Sequence, residues 1–286
     1  MRYKIFTYSI LVIALSSGVY AQGSNPTENW APFDGNKIRY YDIGDQKKKN
    51  AIVFIHGWTG NADLWKDSYS AFPNHRVIAL DLIGHGKSDK PKVEYTMDLF
   101  ARSVDAVLRD AKVDKAVFVG HSMGMPIARQ IYRTNPQKVL GIVNVDGLIR
   151  AFPDKKQFDG LIAGLRSDYR QTAAGFVNSM LVTMKDENVK QAILSTNQIT
   201  PDYVGISAIS QFADDTLWKT DQIKVPVLAI FAEGPFWPSD TEAFFRSITP
   251  DLEFHMWKGP THFLMMEKPK EFNDLVRAFV AKKKLL

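Results

Sequence analysis

A serine between two glycines follows a stretch that has the pattern of a buried strand. Gly120-His121-Ser122-Met123-Gly124 comes directly after the apolar, β-branched run 116–119, and apolar residues recur at helical spacing beyond it. A sharp strand-to-helix turn of the form G-x-S-x-G presents its serine as a nucleophile for acyl transfer. The alternative is a glycine-rich turn with a solvated serine, but the strand and helix around Ser122 favour the nucleophile.

The glycines and the helix of this turn would both serve such chemistry. Gly120 and Gly124 leave room where a Cβ would clash with neighbouring backbone. The helix directs its free N–H groups and the positive end of its dipole toward Ser122, where an oxyanion would form. A serine hydroxyl also needs a base, and histidine has a pKa suited to that work near neutral pH.

In this setting the chain resembles the α/β-hydrolase superfamily, and Ser122 lies where that family keeps its nucleophile. The resemblance covers nearly the whole chain after residue 21, through a His-Gly-x loop at His56, the elbow and a late histidine, in that order. It implies an α/β fold with a doubly wound, mostly parallel sheet and a helical cap insertion over the active site. In such sheets ligands bind beyond the carboxyl ends of the strands, where all of these motifs lie.

The late histidine, His262, is the predicted general base. It follows the last predicted strand in a Gly-Pro-Thr-His-Phe loop, where the superfamily's order of serine, acid and histidine places the base. The side chain of His121 is expected to point away from that of Ser122. All five remaining histidines have structural explanations in loops or strands: His56, His75, His85, His121 and His255.

The triad acid is where the sequence departs from the superfamily's commonest pattern. Pro235 stands where the turn after the predicted strand 225–231 usually carries an aspartate. Asp146 ends the preceding strand, where some members, including certain haloalkane dehalogenases, carry their acid, and it is the first choice for orienting the base. Glu233 is the alternative acid. Asp240 is a third candidate, but a predicted Ser-Asp-Thr-Glu capping box already explains it.

The predicted oxyanion hole uses two backbone N–H groups, those of Trp58 and Met123. Trp58 follows the His-Gly pair, and Met123 follows the nucleophile. Three aromatic residues are candidates for lining an apolar substrate site, with core packing as the alternative for each: Phe152, Phe236 and Trp237. The sequence contains no His-Glu-x-x-His cluster and no glycine-rich phosphate loop after a strand, so neither a metal nor another cofactor is expected.

The elements that must position these residues alternate along the chain between strand and helix patterns, which favours a parallel sheet. After an opening hairpin, apolar or alternating runs predict these strands: 51–55, 76–80, 116–119, 138–146, 225–231 and 252–257. Helical periodicity dominates at 148–221, between the predicted strands 138–146 and 225–231. The predicted organisation is therefore an α/β-hydrolase core in two parts, 22–147 and 222–286, with the cap insertion 148–221 between them.

Several helix boundaries are specific enough to be compared with a structure. Thr96 is the predicted N-cap of a helix that runs to Ala111. Apolar spacing predicts one helix from Tyr169 to Met184. The pair Thr200-Pro201 is typical of an N-cap and the first residue of a helix.

The composition agrees with one domain that carries an insertion, because 286 residues with 45% hydrophobic side chains can bury a substantial core. The formal net charge of +5 is mild, and no basic stripe with interleaved aromatic residues occurs. Nucleic acid is therefore not an expected partner. The expected partner is a small, apolar, ester-like substrate.

The first 21 residues have the pattern of a signal peptide. Arg2 and Lys4 precede the apolar run 5–15, and Val19-Tyr20-Ala21 resembles a cleavage site. That run is too short to span a bilayer comfortably, so no stable membrane anchor is expected after cleavage. The expected location is periplasmic or secreted, and without cysteine the exported domain must depend on its core rather than on disulfides.

Together these patterns predict an exported serine hydrolase that cleaves carboxylic esters of small to medium apolar substrates through an acyl-enzyme on Ser122. A lactonase, a carbon–carbon bond hydrolase or an acyltransferase would use the same triad. Haloalkane dehalogenase and epoxide hydrolase chemistry is disfavoured because those relatives have an aspartate nucleophile. The alternative from another class is a catalytically weak, ligand-binding homologue, which the missing acid at Pro235 supports.

Overall fold

A computed structural model describes residues 26–286 of this chain except Pro153. The predicted signal peptide, residues 1–21, lies outside the described residues. Within them, no helix is both long enough and apolar enough to cross a bilayer.

The centre of the fold is an eight-stranded sheet in the order β1-β2-β4-β3-β5-β6-β7-β8. β1 pairs antiparallel with β2, and β2 with β4, whereas the pairings from β4 to β8 are all parallel. This mostly parallel sheet confirms the predicted fold class. The strands are β1 (Thr27–Phe33), β2 (Asn36–Ile43), β3 (Asn50–Ile55), β4 (Arg76–Leu80), β5 (Lys115–His121), β6 (Val139–Val145), β7 (Val227–Ala232) and β8 (Leu252–Trp257).

Helices cover both faces of the sheet, which is why its inner strands are almost wholly apolar. Along β5, Phe118 packs into one core cluster, and its neighbours Val117 and Val119 pack into the other. The first cluster is completed by helices α1 (Met97–Asp110), α2 (Gly124–Thr134) and α7 (Thr241–Ile248). The second is completed by the short helix α8 (Leu264–Glu267), by α9 (Pro269–Lys282) and by a 3₁₀ segment at Ala62–Ser68.

Two of the core helices test the capping predictions, with opposite results. The hydroxyl of Thr96 accepts a hydrogen bond from the backbone N–H of Leu99 at 3.0 Å, which confirms it as the N-cap of α1. The predicted capping box before α7 is wrong, because no side chain caps that helix. The carboxylate of Asp240 binds the guanidinium of Arg150 instead, and Glu242 binds Arg246.

Among the described residues, four α-helices lie between β6 and β7, inside the segment 148–221 that the sequence predicts as the cap insertion, and two short 3₁₀ helices follow them at Gln211–Ala213 and Asp215–Trp218. We call the four α-helices the cap helices: α3 (Lys155–Ser167), α4 (Tyr169–Ser179), α5 (Glu187–Ile199) and α6 (Asp202–Ser210). Aspartates start three of them, because the side chains of Asp154, Asp168 and Asp186 accept backbone N–H groups of the first turn.

Two predicted boundaries within the cap helices are wrong. The helix that begins at Tyr169 ends at Ser179, so Met184 lies beyond it. Thr200 is the C-cap of α5 rather than an N-cap, and Pro201 takes the N-cap position of α6. Apolar spacing continues past the first of these breaks because Leu181 and Met184 are buried in the same core cluster as Val177 of α4.

Candidate active site

Ser122 lies at the end of β5 in a left-handed backbone conformation with φ +52°. The turn that imposes this conformation depends on close backbone approach. A Cβ at Gly120 would lie 2.5 Å from the carbonyl carbon and oxygen of Gly124, and one at Gly124 would lie 2.5 Å from the carbonyl oxygen of Ile55. The predicted need for both glycines is therefore confirmed. Because non-glycine residues rarely adopt positive φ, the tight packing holds Ser122 in a conformation that costs free energy.

His262 lies in the loop between β8 and α8, next to the end of β6. Its Nδ1 is 2.6 Å from Oδ2 of Asp146, and the two side chains are 13% and 4% exposed. Because a carboxylate accepts hydrogen bonds, Nδ1 carries the proton and Nε2 is left as the basic nitrogen. Of the three carboxylates that the sequence offered, the structure therefore brings Asp146 to the histidine.

The other two candidate acids lie elsewhere. Glu233 lines the same cavity, but its side chain is 53% exposed and lies 3.7 Å from Nζ of Lys258. Asp240 is bound to Arg150 at the start of α7. Neither carboxylate is hydrogen-bonded to His262 within the described part of the chain.

Among the described residues, two further groups donate to the carboxylate of Asp146. Its Oδ1 accepts the backbone N–H of Ala232 at 2.8 Å and the indole N–H of Trp237 at 3.0 Å. Asn144 shapes the turn after the carboxylate, because its side-chain amide both accepts from and donates to the backbone of Gly147. The sequence predicted only a cavity-lining role for Trp237. No local pattern shows an indole bonded to a carboxylate 91 residues away.

Two residues that the sequence left without a site role support the loop of His262. His121 donates from Nε2 to the backbone carbonyl of His262 at 2.9 Å, and its ring lies 4.6 Å from that of His262. Burial, together with the nearby His262, holds the pKa of His121 well below its usual range, so it stays a neutral donor. Glu267 accepts both the N–H and the hydroxyl of Thr261 at 2.6 Å.

The loop that carries the predicted second oxyanion donor, residues 57–60, follows β3, and we call it the oxyanion loop. Leu82 donates its N–H to Nε2 of His56 at 3.0 Å, so Nδ1 carries the proton and donates to the carbonyl of Gly57 at 2.8 Å. Burial lowers the pKa of His56 to about 4, which keeps this arrangement neutral. Within residues 26–286 other than Pro153, the backbone N–H groups of Trp58 and Met123 donate to no protein acceptor. Both are thus available to a ligand.

A cavity of about 910 Å³ opens over these groups. Its walls include Ser122 and His262 together with all three predicted lining aromatics: Phe152, Phe236 and Trp237. Phe152 stacks on Phe158 of α3 at 4.8 Å and meets Phe236 edge-on at 5.5 Å. The cap helices add further apolar residues to the cavity wall, including Phe158, Phe176 and Ile193.

Among the described residues, the acidic and basic side chains that line the cavity are all carboxylates, apart from the histidines. Asp146, Asp154 and Glu233 line it, and no lysine or arginine of the described residues does. Nor does that part of the chain contain a group of three or more His, Asp or Glu side chains that could hold a metal ion.

Comparison with known proteins agrees with this geometry. A non-heme chloroperoxidase of Kitasatospora aureofaciens is 29% identical over 275 residues, which cover 85% of this chain and 96% of that protein. A solved N-acyl homoserine lactone degrading enzyme is 27% identical with a TM-score of 0.73, covering 88% of this chain and 100% of its own. An esterase of Exiguobacterium antarcticum, at 19% identity and a TM-score of 0.80 over 89% of this chain and 100% of its own, shares the fold.

The family model for the alpha/beta hydrolase fold matches residues 50–269, which include the oxyanion loop, the elbow, Asp146 and His262. This range is well over half of the 286 residues. The chain therefore belongs to the α/β-hydrolase family, and its relatives and structural neighbours support a hydrolytic activity on small molecules.

Proposed function

We propose that this protein is an exported serine hydrolase that cleaves uncharged carboxylic esters through an acyl-enzyme on Ser122. The observation that carries the proposal is the 2.6 Å hydrogen bond between His262 and Asp146 on the wall of a cavity that Ser122, held at positive φ, also lines. A serine, a histidine oriented by a carboxylate and free backbone donors are the parts that acyl transfer requires.

The chemical steps follow from these positions. Nε2 of His262 takes the hydroxyl proton as Oγ of Ser122 bonds to the ester carbonyl carbon. The resulting oxyanion accepts the N–H groups of Trp58 and Met123, each worth on the order of 3 kcal/mol in the transition state. His262 then gives its proton to the departing alkoxide, and the alcohol leaves. A water molecule, deprotonated by the same histidine, hydrolyses the acyl-enzyme.

The charge of the cavity wall supports uncharged substrates. A substrate carboxylate would have to leave water for an apolar space with no cationic partner among the lining residues, which costs several kcal/mol. A carbon–carbon bond hydrolase acting on anionic substrates is therefore a weaker candidate. Neutral esters with apolar acyl or alcohol groups match the aromatic wall that Phe152, Phe158 and Phe236 form.

A lactonase is the second candidate, because a lactone is a cyclic, uncharged ester. The N-acyl homoserine lactone degrading enzyme, at 27% identity over 88% of this chain, favours it. Acyl transfer to an alcohol or to peroxide would begin with the same acyl-enzyme and differ only in the second nucleophile.

The first experiment is labelling with a small fluorophosphonate, followed by mass spectrometry of the wild type and of Ser122→Ala. We expect one adduct on Ser122 and none on the variant, together with hydrolysis of neutral p-nitrophenyl esters by the wild type alone. A folded wild type that is neither labelled nor active would leave ligand binding as the function.

Export remains part of the proposal. It is supported by the basic start, apolar run and Val19-Tyr20-Ala21 sequence of residues 1–21. Expression of the full chain in a Gram-negative host, followed by fractionation and N-terminal sequencing, should recover a protein in the periplasm that begins close after Ala21. Recovery of a protein that retains Met1 would contradict export by this route.

A further inference from the structure

The side chain of Trp58 connects the oxyanion loop to the cap helices. Its indole N–H donates to the backbone carbonyl of Gly205 in α6 at 2.8 Å. Its ring also meets Phe176 of α4 edge-on at 5.8 Å. One residue thus has its backbone N–H at the predicted oxyanion hole and its side chain bound to two cap helices.

A second hydrogen bond joins the next residue of the loop to a third cap helix. Nδ2 of Asn197 in α5 donates to the hydroxyl of Thr59 at 3.1 Å, and both residues are almost wholly buried. Thr59 has φ +56°, a conformation that a β-branched residue adopts only when its surroundings impose it. The contact with Asn197 therefore helps to hold a strained loop.

The carbonyl that Trp58 binds is itself closely packed within the cap. A Cβ at Gly205 would lie 2.1 Å from the hydroxyl oxygen of Tyr169, so the phenol ring of this α4 residue packs directly on the backbone of α6. The residue whose carbonyl accepts the indole N–H is thus held by a side chain of a second cap helix.

On its other side the oxyanion loop lies against the nucleophile. A Cβ at Gly57 would lie 2.9 Å from Cβ of Ser122 and 3.0 Å from Nδ1 of His121. His56 holds the carbonyl of Gly57 from within the core. The loop is therefore held between the elbow and the cap, and a shift of the cap would move the N–H of Trp58 relative to Ser122.

We propose that Trp58 and Asn197 are positioning residues through which the cap helices set the oxyanion hole. When the cap is docked, the indole and the Asn197 amide hold residues 58 and 59 so that the Trp58 N–H points to the oxyanion. When the cap moves away, both hydrogen bonds are lost and that donor loses its fixed direction. Substrate enclosure and oxyanion stabilisation are thereby coupled. This inference rests on the proposed function.

The test compares two variants with a matched control. Trp58→Phe keeps an aromatic ring but removes the indole N–H, and Asn197→Ala removes the second hydrogen bond. Tyr203→Phe is the control, because Tyr203 also joins α6 to the core, through its hydroxyl and the carbonyl of Lys90 at 2.6 Å, and neither of its hydrogen bonds to described residues involves the oxyanion loop. Thermal unfolding of each variant checks that it is folded.

The readouts separate oxyanion positioning from general cap docking. For a neutral p-nitrophenyl ester we expect kcat to fall about tenfold in Trp58→Phe and a few-fold in Asn197→Ala, with KM changed by less than about twofold. The affinity for a trifluoromethyl ketone, whose adduct with Ser122 carries an oxyanion, should fall by the same factors. The affinity for an aliphatic alcohol, which forms no oxyanion, should not change. Tyr203→Phe should resemble the wild type in its ester kinetics and in its affinities for the ketone and the alcohol.

Three results would overturn the inference. If Trp58→Phe and Tyr203→Phe lose activity equally, or if ketone and alcohol affinities fall together, the contacts only dock the cap. Unchanged kcat in both Trp58→Phe and Asn197→Ala would likewise exclude coupling. Fluorophosphonate labelling of the wild type separates failure of this inference from failure of the proposed function. If the wild type is labelled and one of these three results is obtained, only the inference is contradicted. If the wild type is not labelled, the proposed function is contradicted as well.

Discussion

The cavity has two sides that are built in different ways. On the sheet side, Ser122, Asp146 and His262 lie in loops at strand ends. Hydrogen bonds hold the carboxylate of Asp146 and the imidazole of His262 in place. On the cap side, Phe152, Phe158 and Phe176 contribute apolar surface from or beside helices, and ring packing holds them. Under the proposed function, the sheet side would carry out the reaction and the cap side would select the substrate by shape and polarity.

This difference implies that substitutions on the two sides should affect different kinetic parameters. A hydrogen-bonded group held within a fraction of an ångström has no substitute, so its loss should appear in kcat. An apolar wall can repack around a changed side chain, so a substitution there should change mainly KM and substrate preference. Four measurements test this contrast.

The largest effect is expected from the triad acid. Asp146→Asn should lower kcat/KM for a neutral ester on the order of a thousandfold or more, because the amide can hold His262 in the wrong tautomer. Glu233→Gln is the matched control on the same cavity wall and should change kcat/KM less than about threefold. Steady-state kinetics on both variants checks this, and equal activities would refute the assignment of Asp146.

Lowering the pH should reduce the free energy of unfolding through the buried histidines on the sheet side. Burial lowers the pKa of His56 to about 4, and burial together with His56 lowers that of His85 to about 3. The unfolded chain takes up these protons near pH 6.5, so the free energy of unfolding is highest above that pH and falls as the pH drops toward 4. Each histidine should contribute a loss of about 2 kcal/mol between pH 6.5 and pH 5.

Urea unfolding at pH 7 and pH 5 measures this loss. His85→Phe removes one of the titrating groups and should make the free energy of unfolding less dependent on pH. Residues 148–221 contain no histidine, so the cap carries no such group. A pH dependence that is the same in wild type and variant would show that His85 is not protonated on unfolding.

Substrate charge tests the cap side. The monoanionic p-nitrophenyl succinate should be hydrolysed with a kcat/KM about a hundredfold below that of its methyl ester, because its carboxylate finds no cation in the cavity. Met180→Lys places an ammonium group on the wall and should narrow the difference while leaving the methyl ester nearly unaffected. Equal rates for the two esters in the wild type would show that the acyl group stays in water.

The smallest effect is expected where the two sides meet. Trp237 lines the cavity and also donates to Asp146, so Trp237→Phe should remove the hydrogen bond while keeping an aromatic wall. We expect kcat to fall about tenfold and KM to change little. A hydrogen bond to a charged group contributes about 1.5 to 3 kcal/mol, and because Ala232 still donates, the loss should stay at the lower end of that range. Phe236→Leu is the control for the wall and should change KM more than kcat.

The sequence predicted what local patterns encode. The elbow at Ser122 and the N-cap at Thr96 rest on neighbouring residues, and the late His262 and the choice of Asp146 rest on motif order and on an exclusion at Pro235. The bonds from Trp237 to Asp146 and from Asn197 to Thr59 join residues 91 and 138 positions apart. No periodicity or cap signal reports such contacts, because the fold alone creates them. The α7 capping box failed for the same reason, since a distant Arg150 binds Asp240.

The positive φ of both Ser122 and Asp146, +52° and +47°, also bears on how this chain would evolve. Each left-handed residue costs the native state on the order of 1 kcal/mol, which a glycine in the same place would avoid. At 146 a glycine would also remove the buried acceptor of the hydrogen bonds from Ala232, Trp237 and His262, and that loss outweighs the relief of backbone strain. In a lineage that no longer needs the reaction, glycine should therefore accumulate at 122 rather than at 146, and a homologue with glycine at 122 should be more stable than its active relatives.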